Sequence, residues 1–360
     1  MPRNPTPFTG QAAVAGIGMT ALTRASGRTE EDLAVAACRA ACADAGIEPR
    51  DVDAILSYHL GDSAPVIQVA RALDLDHLGW HNDIAGGGTQ TASILGDAAL
   101  LIQAGLARNI LVYRALNGRS GQRVNRLPTG PPDARRHGMA GPVPMFALAA
   151  TRYLHDTGLT ERHLHAVVAQ SRTNAATNPR ALRRDPLPLS DYLAAPYVCT
   201  PLRTVDCCQE TDGACALVVS GVLDGPRVRA VARGGGPGCS AMDRAADVSA
   251  IFSSYVAPAL WGSTHLKPVD VDTALLYDAY SWLVPRQLTD FGLADDPGPY
   301  LLERRHDWVN RHGGLLSEGY VHGLNNVAQA VRELRQDREV ALITGFGGSY
   351  GSAALLTADG

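Results

Sequence analysis

Apolar and polar positions along the first third of the chain predict strands that alternate with helices. Small apolar residues in 11–18 predict a first strand, whereas residues 30–45 have the spacing of a helix. Thr29 can cap this helix, acidic residues fill its first turn, and Gly46 ends it. The next predicted elements are a strand at 52–56, a short helix at 65–73, a long helix at 89–104 and a strand at 109–115.

The last third of the chain repeats this order. Its predicted elements are strands at 228–232 and 273–277, helices at 280–291 and 324–335, and strands at 340–344 and 353–357. Strands that alternate with helices typically form a mostly parallel sheet that helices cover on both faces. The sequence therefore predicts a layered α/β fold, and the repeated order suggests two duplicated halves.

The region between the halves has a different composition. Glycine, proline and arginine are frequent in 118–144, and helices are predicted at 145–155 and 160–177. Residues 208–219 then regain the apolar character of a strand. We therefore expect an N-terminal half built from 1–116 and 200–224, an inserted loop domain at 117–199, and a C-terminal half at 225–360.

Composition excludes several classes of function. The 360 residues carry a formal net charge of −4, so no overall positive field favours nucleic acid. No apolar run reaches the ~20 residues that span a bilayer, and the first residues lack the apolar core of a signal peptide. We therefore expect a cytoplasmic protein that binds neither a membrane nor nucleic acid.

Cysteine, histidine and lysine usage narrows the chemistry further. The seven cysteines form no Cys-x-x-Cys pair, and the eleven histidines show no His-Glu-x-x-His spacing. We expect neither a disulfide framework nor a bound metal. Lys267 is the one lysine, so a Schiff-base mechanism would depend on it alone.

Three glycine-rich segments carry a family resemblance. Residues 84–91 read Ile-Ala-Gly-Gly-Gly-Thr-Gln-Thr, 344–351 read Thr-Gly-Phe-Gly-Gly-Ser-Tyr-Gly, and 319–323 read Gly-Tyr-Val-His-Gly. Further motifs lie at 153–158, 174–181 and 201–214. In this order, the segments resemble the thiolase superfamily and, within it, the sterol-carrier or lipid-transfer branch.

The resemblance covers about residues 11–357. It implies two packed α/β halves, a loop domain that receives coenzyme A, and a homodimer. It places the family's nucleophilic cysteine at Ala85 and its acid–base cysteine near Gly345. Where the family has Gly-His-Pro, this chain has Gly-Tyr-Val, with Tyr320 in the histidine position. Since a methyl group cannot attack a thioester, we expect a thiolase fold without the covalent acyl-enzyme step.

A reaction that passes through a thioester enolate needs no nucleophile. In retro-aldol cleavage, one group takes the proton of a β-hydroxyl and another protonates the enolate carbon. We assign these roles to Tyr320 and Tyr350 respectively, and His322 is a candidate for tuning Tyr320 or binding the thioester oxygen. The oxyanion and the substrate would be bound by residues of the glycine-rich turns and one carboxyl group: Ala85, Gly86, Gly87, Gly348 and Asp278.

Two residue assignments have structural alternatives. Arg119 and Arg123 lie in a glycine-containing loop and could bind the phosphates of coenzyme A, but a solvated arginine loop fits the sequence equally well. Tyr350 could serve only to pack against Phe346. The sequence leaves both alternatives open.

The pattern is also similar to thiolase-fold aldolases that shorten steroid side chains as coenzyme A thioesters. This resemblance implies cleavage of a β-hydroxyacyl-CoA into a short acyl-CoA and a ketone or aldehyde, with no cofactor besides the coenzyme A of the substrate. It implies a small partner with an OB-fold and a zinc ribbon, of the DUF35 type, in a heterotetramer. Two other functions stay open: a catalytically silent subunit that binds acyl-CoA, and an acyltransferase that uses a displaced cysteine such as Cys239.

Overall fold

The computed structural model describes residues 8–123, 132–236 and 245–358. Within these ranges the chain forms eleven strands and twelve α-helices. The strands are β1 Ala13–Met19, β2 Ala54–His59, β3 Trp80–Ala85, β4 Asn109–Asn117, β5 Tyr197–Cys199, β6 Leu202–Arg203, β7 Asp212–Ser220, β8 Arg227–Gly235, β9 Thr273–Leu275, β10 Val340–Gly347 and β11 Tyr350–Thr357. The helices are α1 Glu30–Asp44, α2 Val66–Ala72, α3 Ser93–Gln103, α4 Pro132–Arg136, α5 Pro142–Thr157, α6 Glu161–Ala175, α7 Leu189–Ala194, α8 Ser253–Trp261, α9 Leu283–Asp290, α10 Pro297–Leu302, α11 Gly314–Ser317 and α12 Leu324–Leu334.

Nine strands form one mixed sheet in the order β3-β2-β4-β7-β1-β8-β11-β10-β9. The pairs β2–β3, β2–β4 and β9–β10 are parallel, and the other neighbouring pairs are antiparallel. The two halves of the sheet meet where Ala13 of β1 pairs with Arg227 of β8. In each half, every strand except β7 or β11 runs in the same direction. The predicted α/β class with a mostly parallel, mixed sheet is confirmed.

The two halves follow the same chain path. The first half runs through β1, α1, β2, α2, β3, α3, β4 and β7. The second half runs through β8, α8, β9, α9, α12, β10 and β11, and these strands occupy the corresponding sheet positions in reverse order. In the described residues, the counterpart of β3 is a single parallel bridge between Ala274 of β9 and Val309. This repeated path supports the duplication suggested by the sequence.

Alternate residues of each strand enter cores on opposite faces of the sheet. In β4, Leu111 and Tyr113 belong to the core formed with α1 and α2. Ile110 and Val112 belong to the core formed with α3 and α12. A third core contains residues of α8 and α9 and the opposite face of the second half. Helices α3 and α12 therefore form a central layer between the two halves of the sheet, with further helices on both outer faces.

Eight elements were not predicted from the sequence, namely β3, β5, β6, α4, α7, α8, α10 and α11, and two of them show why. Strand β3 reads Trp-His-Asn-Asp-Ile-Ala, which has no regular alternation, and five of its six residues are exposed. It pairs with β2 at the edge of the sheet. Because its residues are mostly exposed, the strand has no alternation of apolar and polar residues from which it could be predicted. Helix α8 contains Pro258 in its interior, which is unfavourable in helices and masks the helical signal.

The inserted region joins the end of β4 to the start of β7. It contains α4 to α7 and the small sheet of β5 and β6. Its helix α5 packs on the second half, where the rings of Tyr153 and Trp282 lie 5.8 Å apart. The domain boundaries proposed from the sequence stay predictions. No helix in the described ranges is long and apolar enough to cross a membrane.

The central layer can be tested within one helix. Leu95 of α3 is fully buried between the halves, whereas Leu100 of the same helix is 55% exposed. We expect Leu95→Ala to lower the free energy of unfolding by about 2–5 kcal/mol, because it leaves a cavity. Leu100→Ala is the matched control and should change it by less than about 0.5 kcal/mol. Urea unfolding measures the free energy of unfolding of both variants. Equal losses of this free energy would contradict the layered arrangement.

Candidate active site

A cavity of about 310 Å³ lies beyond the carboxyl ends of β3, β9 and β10. Its walls come from the glycine loop 86–88, the segments that follow β9 and precede α12, the end of β10, and α5. Ring-bearing side chains dominate the lining: Phe146, Tyr277, Tyr280, Tyr320, His322 and Phe346. Because ligands of open α/β sheets bind at the carboxyl ends of the strands, this cavity is the candidate active site.

Two phenol groups meet inside the cavity. The hydroxyl of Tyr277 donates a hydrogen bond to the hydroxyl of Tyr320 over 2.8 Å, and both side chains are buried. Burial raises the pKa of each phenol well above its ordinary value. Both are therefore neutral hydroxyls near pH 7, and each can donate one hydrogen bond while accepting another.

Threonine hydroxyls hold the two tyrosines in place. Thr344 Oγ1 accepts the backbone N–H of Tyr277 over 2.8 Å. Thr211 Oγ1 accepts the backbone N–H of Tyr320 over 3.1 Å and donates to its carbonyl oxygen over 2.8 Å. Thr344 belongs to β10, and Thr211 immediately precedes β7. Both halves of the sheet therefore position the phenol pair.

The glycine loop leaves the space that the phenols occupy. A Cβ atom on Gly88 would lie 2.2 Å from the hydroxyl oxygen of Tyr277 and 2.6 Å from the carbonyl oxygen of Phe346. Packing at these distances is impossible, so residue 88 must be glycine for Tyr277 to reach Tyr320. The loop that resembles the thiolase nucleophile loop thus accommodates a phenol instead of a side chain of its own.

His322 is a neutral hydrogen-bond donor beside Tyr320, with ring centroids 4.9 Å apart. Its Nδ1 atom lies 2.7 Å from Nη2 and 3.1 Å from Nε of Arg114. Because a guanidinium only donates, Nδ1 must accept and the ring proton is on Nε2. Burial, followed by the charge of Arg114, lowers the pKa of His322 to about 3. A Cβ atom built on Gly87 would lie 3.2 Å from Nε2 of His322, so this nitrogen lies next to the glycine loop.

The backbone of His322 is held in an uncommon conformation. Its φ angle is 46°, in the left-handed region that few residues other than glycine adopt. Its carbonyl oxygen accepts hydrogen bonds from Thr91 Oγ1 over 2.7 Å and from the hydroxyl of Tyr58 over 3.0 Å. These two buried hydroxyls fix the direction in which the imidazole enters the cavity.

Arg114 is a fully buried cation in the middle of β4. Its Nη2 atom lies 2.6 Å from Oδ1 of Asp62, and its Nη1 donates to the carbonyl oxygen of Ala115 over 2.7 Å. Burial raises the pKa of Asp62, but the charge of Arg114 together with hydrogen bonds from Arg114 and the backbone N–H of Leu60 contributes to a net lowering. This group was not predicted from the sequence. An arginine inside the apolar run 109–116 is the signal that could have revealed it, since buried arginines are almost always paired.

Four of the predicted site residues line the cavity together: Tyr320, His322, Gly86 and Gly87. Tyr277 completes the set, and it was not among the site residues that the sequence predicted.

Three predicted residues lie elsewhere. Ala85 is exposed at the end of β3. Gly348, with a φ angle of 89°, turns the hairpin between β10 and β11. Tyr350 pairs with Gly347 across this hairpin and is 46% exposed. The turn carries Tyr350 past the cavity, so the structure does not bring it next to Tyr320.

Asp278 lies behind the cavity wall. Its carboxyl group accepts the backbone N–H groups of Leu315 over 2.8 Å and Leu316 over 3.4 Å, in the first turn of α11. Burial raises its pKa to about 7. These contacts anchor the segment that leads to Tyr320, so Asp278 acts on the position of Tyr320 and does not face the cavity.

A second cavity of about 560 Å³ adjoins the first, and Cys208 and Glu210 line both. The predicted coenzyme A ligands Arg119 and Arg123 line this second cavity. Nε of Arg123 donates a hydrogen bond to the carboxylate of Glu210. The structure therefore brings the two arginines together, next to the phenol cavity.

Two of the described cysteines that line these cavities, Cys207 and Cys208, are protonated thiols. Burial raises the pKa of Cys208 well above its ordinary value and that of Cys207 to about 12. Cys239, which the sequence suggested as a displaced nucleophile, lies outside the described residues. In the parts of the chain that the structure describes, no group of three or more His, Cys, Asp or Glu side chains could hold a metal ion.

Solved structures identify the class of protein. The chain matches the Ltp2-ChsH2(DUF35) aldolase with a TM-score of 0.89 and 32% identity, over 98% of this chain and 99% of that one. A human mitochondrial 3-ketoacyl-CoA thiolase matches with a TM-score of 0.76 over 99% of this chain and 100% of that one, and its 16% identity shows the fold alone. The protein thus has the thiolase fold, as the glycine-rich motifs predicted.

Sequence relatives identify the family. A 17-hydroxy-3-oxo-4-pregnene-20-carboxyl-CoA lyase of Mycobacterium tuberculosis is 33% identical, over 91% of this chain and 92% of the relative. A steroid side-chain-cleaving aldolase of Thermomonospora curvata is also 33% identical, over 91% and 90%. No protein-family model matches the chain. The chain belongs to the thiolase-fold family of steroid side-chain-cleaving aldolases, and it is a carbon–carbon lyase.

The neutral state of His322 predicts a loss of stability in acid. Its pKa is about 3 in the folded protein and ~6.5 in an unfolded chain, so between these values the unfolded state binds more protons. Through this window, His322 lowers the free energy of unfolding by up to about 1.4 kcal/mol for each unit by which the pH falls. His322→Gln should remove this contribution to the dependence of the free energy of unfolding on pH. Urea unfolding from about pH 7 to about pH 4 tests it, and equal slopes would contradict a neutral His322.

Proposed function

We propose that this protein cleaves the Cα–Cβ bond of a β-hydroxyacyl-CoA thioester by a retro-aldol reaction, giving a shorter acyl-CoA and a ketone or aldehyde. The observation that carries the proposal is the buried hydroxyl pair of Tyr277 and Tyr320 beside the imidazole of His322. These groups can transfer protons and bind an oxyanion without a covalent intermediate. The names of the relatives, a carboxyl-CoA lyase and a side-chain-cleaving aldolase, support the same class of reaction.

The reaction removes one proton from the β-hydroxyl and adds one to Cα. As the Cα–Cβ bond breaks, its electron pair forms the thioester enolate, and the β-hydroxyl oxygen becomes the carbonyl oxygen of the leaving ketone or aldehyde. We assign Tyr320 to the β-hydroxyl, as the sequence suggested. Tyr277 takes the role at the enolate carbon that the sequence gave to Tyr350, because Tyr277 is the phenol in contact with Tyr320.

The phenol pair can pass a proton without forming a free phenolate. Burial raises the pKa of both phenols, so a lasting phenolate would be costly. In the proposed step, the two hydroxyl hydrogens first rotate so that Tyr320 donates to Tyr277 in place of the reverse. Tyr320 then accepts the proton of the β-hydroxyl while its own proton passes to Tyr277, which delivers its proton to Cα. Each phenol is neutral before and after the step, and the raised pKa values therefore do not oppose it.

The enolate oxygen needs hydrogen-bond donors as negative charge develops on it. His322 and the backbone of the glycine loop 86–88 line the same cavity as the tyrosines. We propose that Nε2–H of His322 and N–H groups of this loop bind the thioester oxygen. A fixed donor of this kind stabilises an oxyanion transition state by about 2.7–4 kcal/mol.

The proposed substrate carries a bulky alicyclic, steroid-like acyl group, as the names of the relatives suggest. The thioester itself accepts the electron pair of the broken bond, so the reaction needs no cofactor besides the coenzyme A of the substrate. Arg119 and Arg123 in the adjoining cavity stay proposed ligands of the coenzyme A phosphates. The cytoplasmic location expected from the sequence stays a prediction.

The acyltransferase and the silent subunit are the competing functions. An acyltransferase needs a thiolate, and Cys208, the described cysteine in the first cavity, has a pKa that burial raises. A silent subunit would need no phenol hydroxyls, so substitution of the tyrosines separates it from an aldolase.

We propose that the chain forms a homodimer through strand β3. Among the described strands, β3 pairs with β2 alone, and its other edge leaves backbone groups unpaired in the sheet. Two such edges can pair across a two-fold axis. The second proposed partner is a small OB-fold and zinc-ribbon protein of the DUF35 type, in a heterotetramer, because the matching aldolase structure names a DUF35 component.

The roles of the tyrosines can be tested by removing one oxygen at a time. We expect Tyr277→Phe and Tyr320→Phe each to lower kcat for β-hydroxyacyl-CoA cleavage by about 10²–10⁴-fold, because each breaks the proton path. The double variant should lose little more than either single variant, since the two hydroxyls act as a unit. Product analysis, with and without a DUF35-type partner, measures the activity.

Two tyrosines provide matched controls. Tyr280→Phe removes a hydroxyl from the same cavity wall, and Tyr350→Phe removes one from outside it. Both variants should keep kcat within a few-fold of the unchanged protein. Full activity of the Tyr277→Phe/Tyr320→Phe double variant would favour the silent subunit, and acylation of a cysteine by the substrate would favour the acyltransferase.

The proposed homodimer can be tested at the middle of β3. Asn82 is exposed there, and Asn82→Lys places a charge on the edge that would pair with its copy. Sedimentation velocity should show the change from dimer to monomer. Gln68→Lys, which adds the same charge to the exposed surface of α2, should leave the dimer intact. Dimers that form equally well with Asn82→Lys would exclude pairing through β3.

A further inference from the structure

The second cavity contains more positive charge than its wall neutralises. Four arginines line it: Arg24, Arg119, Arg123 and Arg183. Among the described lining residues, Glu210 is the one carboxylate, and it already binds Arg123. The other three arginines have no ion pair with a described residue. A cavity of about 560 Å³ with this lining favours a negatively charged occupant.

Two buried donors in the same wall point to the missing partner. Nη1 of Arg183 and Nε2 of Gln209 have no hydrogen-bond partner among the described residues. Gln209 is only 8% exposed, so water does not freely replace that partner. Both atoms can donate and neither can accept, so the occupant must offer acceptor oxygens. A buried donor without a partner is destabilising, and a bound anion would remove this cost.

The electrostatics of Arg183 agree with these contacts. Burial lowers its pKa to about 10, and the charges of Arg172 and Arg24 act in the same direction. Repulsion between these guanidinium groups and loss of solvent both disfavour the charged form of Arg183. A bound anion would offset both effects, because its charge attracts the guanidinium groups.

The second cavity is continuous with the proposed catalytic cavity. Cys208 and Glu210 belong to both linings. The backbone of Glu210 also forms a parallel bridge with Tyr320. One substrate molecule can therefore place its reacting carbons at the phenol pair and extend an anionic group toward the arginines.

We propose that the second cavity binds an anionic group of the substrate, with Arg24, Arg183 and Gln209 as its ligands beside Arg119 and Arg123. This inference rests on the proposed retro-aldol function. Guanidinium groups bind phosphate and carboxylate oxygens in pairs, and both kinds of anion fit the donors present. The two sources in a β-hydroxyacyl-CoA are the phosphates of coenzyme A and a carboxylate at the far end of the acyl group.

Binding to the full chain is measured first, by calorimetry at low salt. Adenosine 3′,5′-bisphosphate is the probe for the phosphate source, and adamantane-1-carboxylate is the probe for the carboxylate source. For the probe that binds, Arg183→Gln and Arg24→Gln should each raise Kd by about ten- to a hundredfold. Added salt should weaken binding to the unchanged protein. Arg71→Gln, at an exposed position on α2 outside the cavity, is the matched control and should leave Kd unchanged.

Kinetics with paired substrates then identify the source. If the anion is a phosphate, Arg183→Gln raises KM for the coenzyme A thioester and leaves KM for the pantetheine thioester of the same acyl group unchanged. If the anion is a carboxylate, the variant raises KM for an acyl group with a distal carboxylate and spares its methyl ester. In both cases kcat stays within a few-fold, because the phenol pair is intact.

The anion site is overturned if neither probe binds the unchanged protein, or if the arginine variants bind the probes as tightly as it does. If Arg183→Gln does not fold, Arg24→Gln gives the same test at an exposed residue. The proposed function fails separately. A protein that binds a probe through these arginines but cleaves no β-hydroxyacyl-CoA, with or without a DUF35-type partner, would refute the retro-aldol reaction and support the anion site.

Discussion

A buried guanidinium controls the chemistry of the cavity. Arg114 lies within β4 with no exposed surface, paired with Asp62 and hydrogen-bonded to Nδ1 of His322. Asp62 and Arg114 come from the first half of the chain and His322 from the second, so this contact joins the halves at the site. Removing one partner of such a buried pair costs about 3–5 kcal/mol. The same contact determines which imidazole nitrogen carries the proton.

Space is the second constraint, because the position of the Tyr277 phenol depends on the absence of a side chain at residue 88. Gly88 has no Cβ, and the volume that a side chain would fill there contains the hydroxyl of Tyr277. Any larger residue at 88 would displace this hydroxyl from Tyr320. The phenol pair therefore depends on the glycine at 88, whereas Ala85, to which the family resemblance assigns the nucleophilic cysteine, is exposed at the end of β3. The chain thus has the strands and helices of the thiolase fold, and its glycine loop accommodates the phenol of Tyr277.

Local patterns predicted most of the fold and four of the residues that line the candidate site. Helix α1 was recognised because Thr29 and the acidic first turn form a capping box, which the structure contains. Strand β3 was missed because an exposed edge strand needs no apolar alternation. Motif order located Tyr320 and His322, but no local pattern links Arg114 to His322, 208 residues apart. Tyr350 was placed in the site because position along a loop does not show which way a hairpin turns its side chains.

The distribution of charge explains how this site can move protons. Tyr277, Tyr320 and His322 are all neutral, because burial disfavours the ionised form of each. A cation in direct contact with the phenols would lower their pKa and favour a phenolate, which would interrupt a neutral proton relay. The described cations near the site are separated from the phenols. Arg114 contacts His322 and is paired with Asp62, and the arginine cluster lines the adjoining cavity. In the proposed reaction, positive charge close to the enolate, without contact with the phenols, would stabilise the transition state and leave the relay neutral.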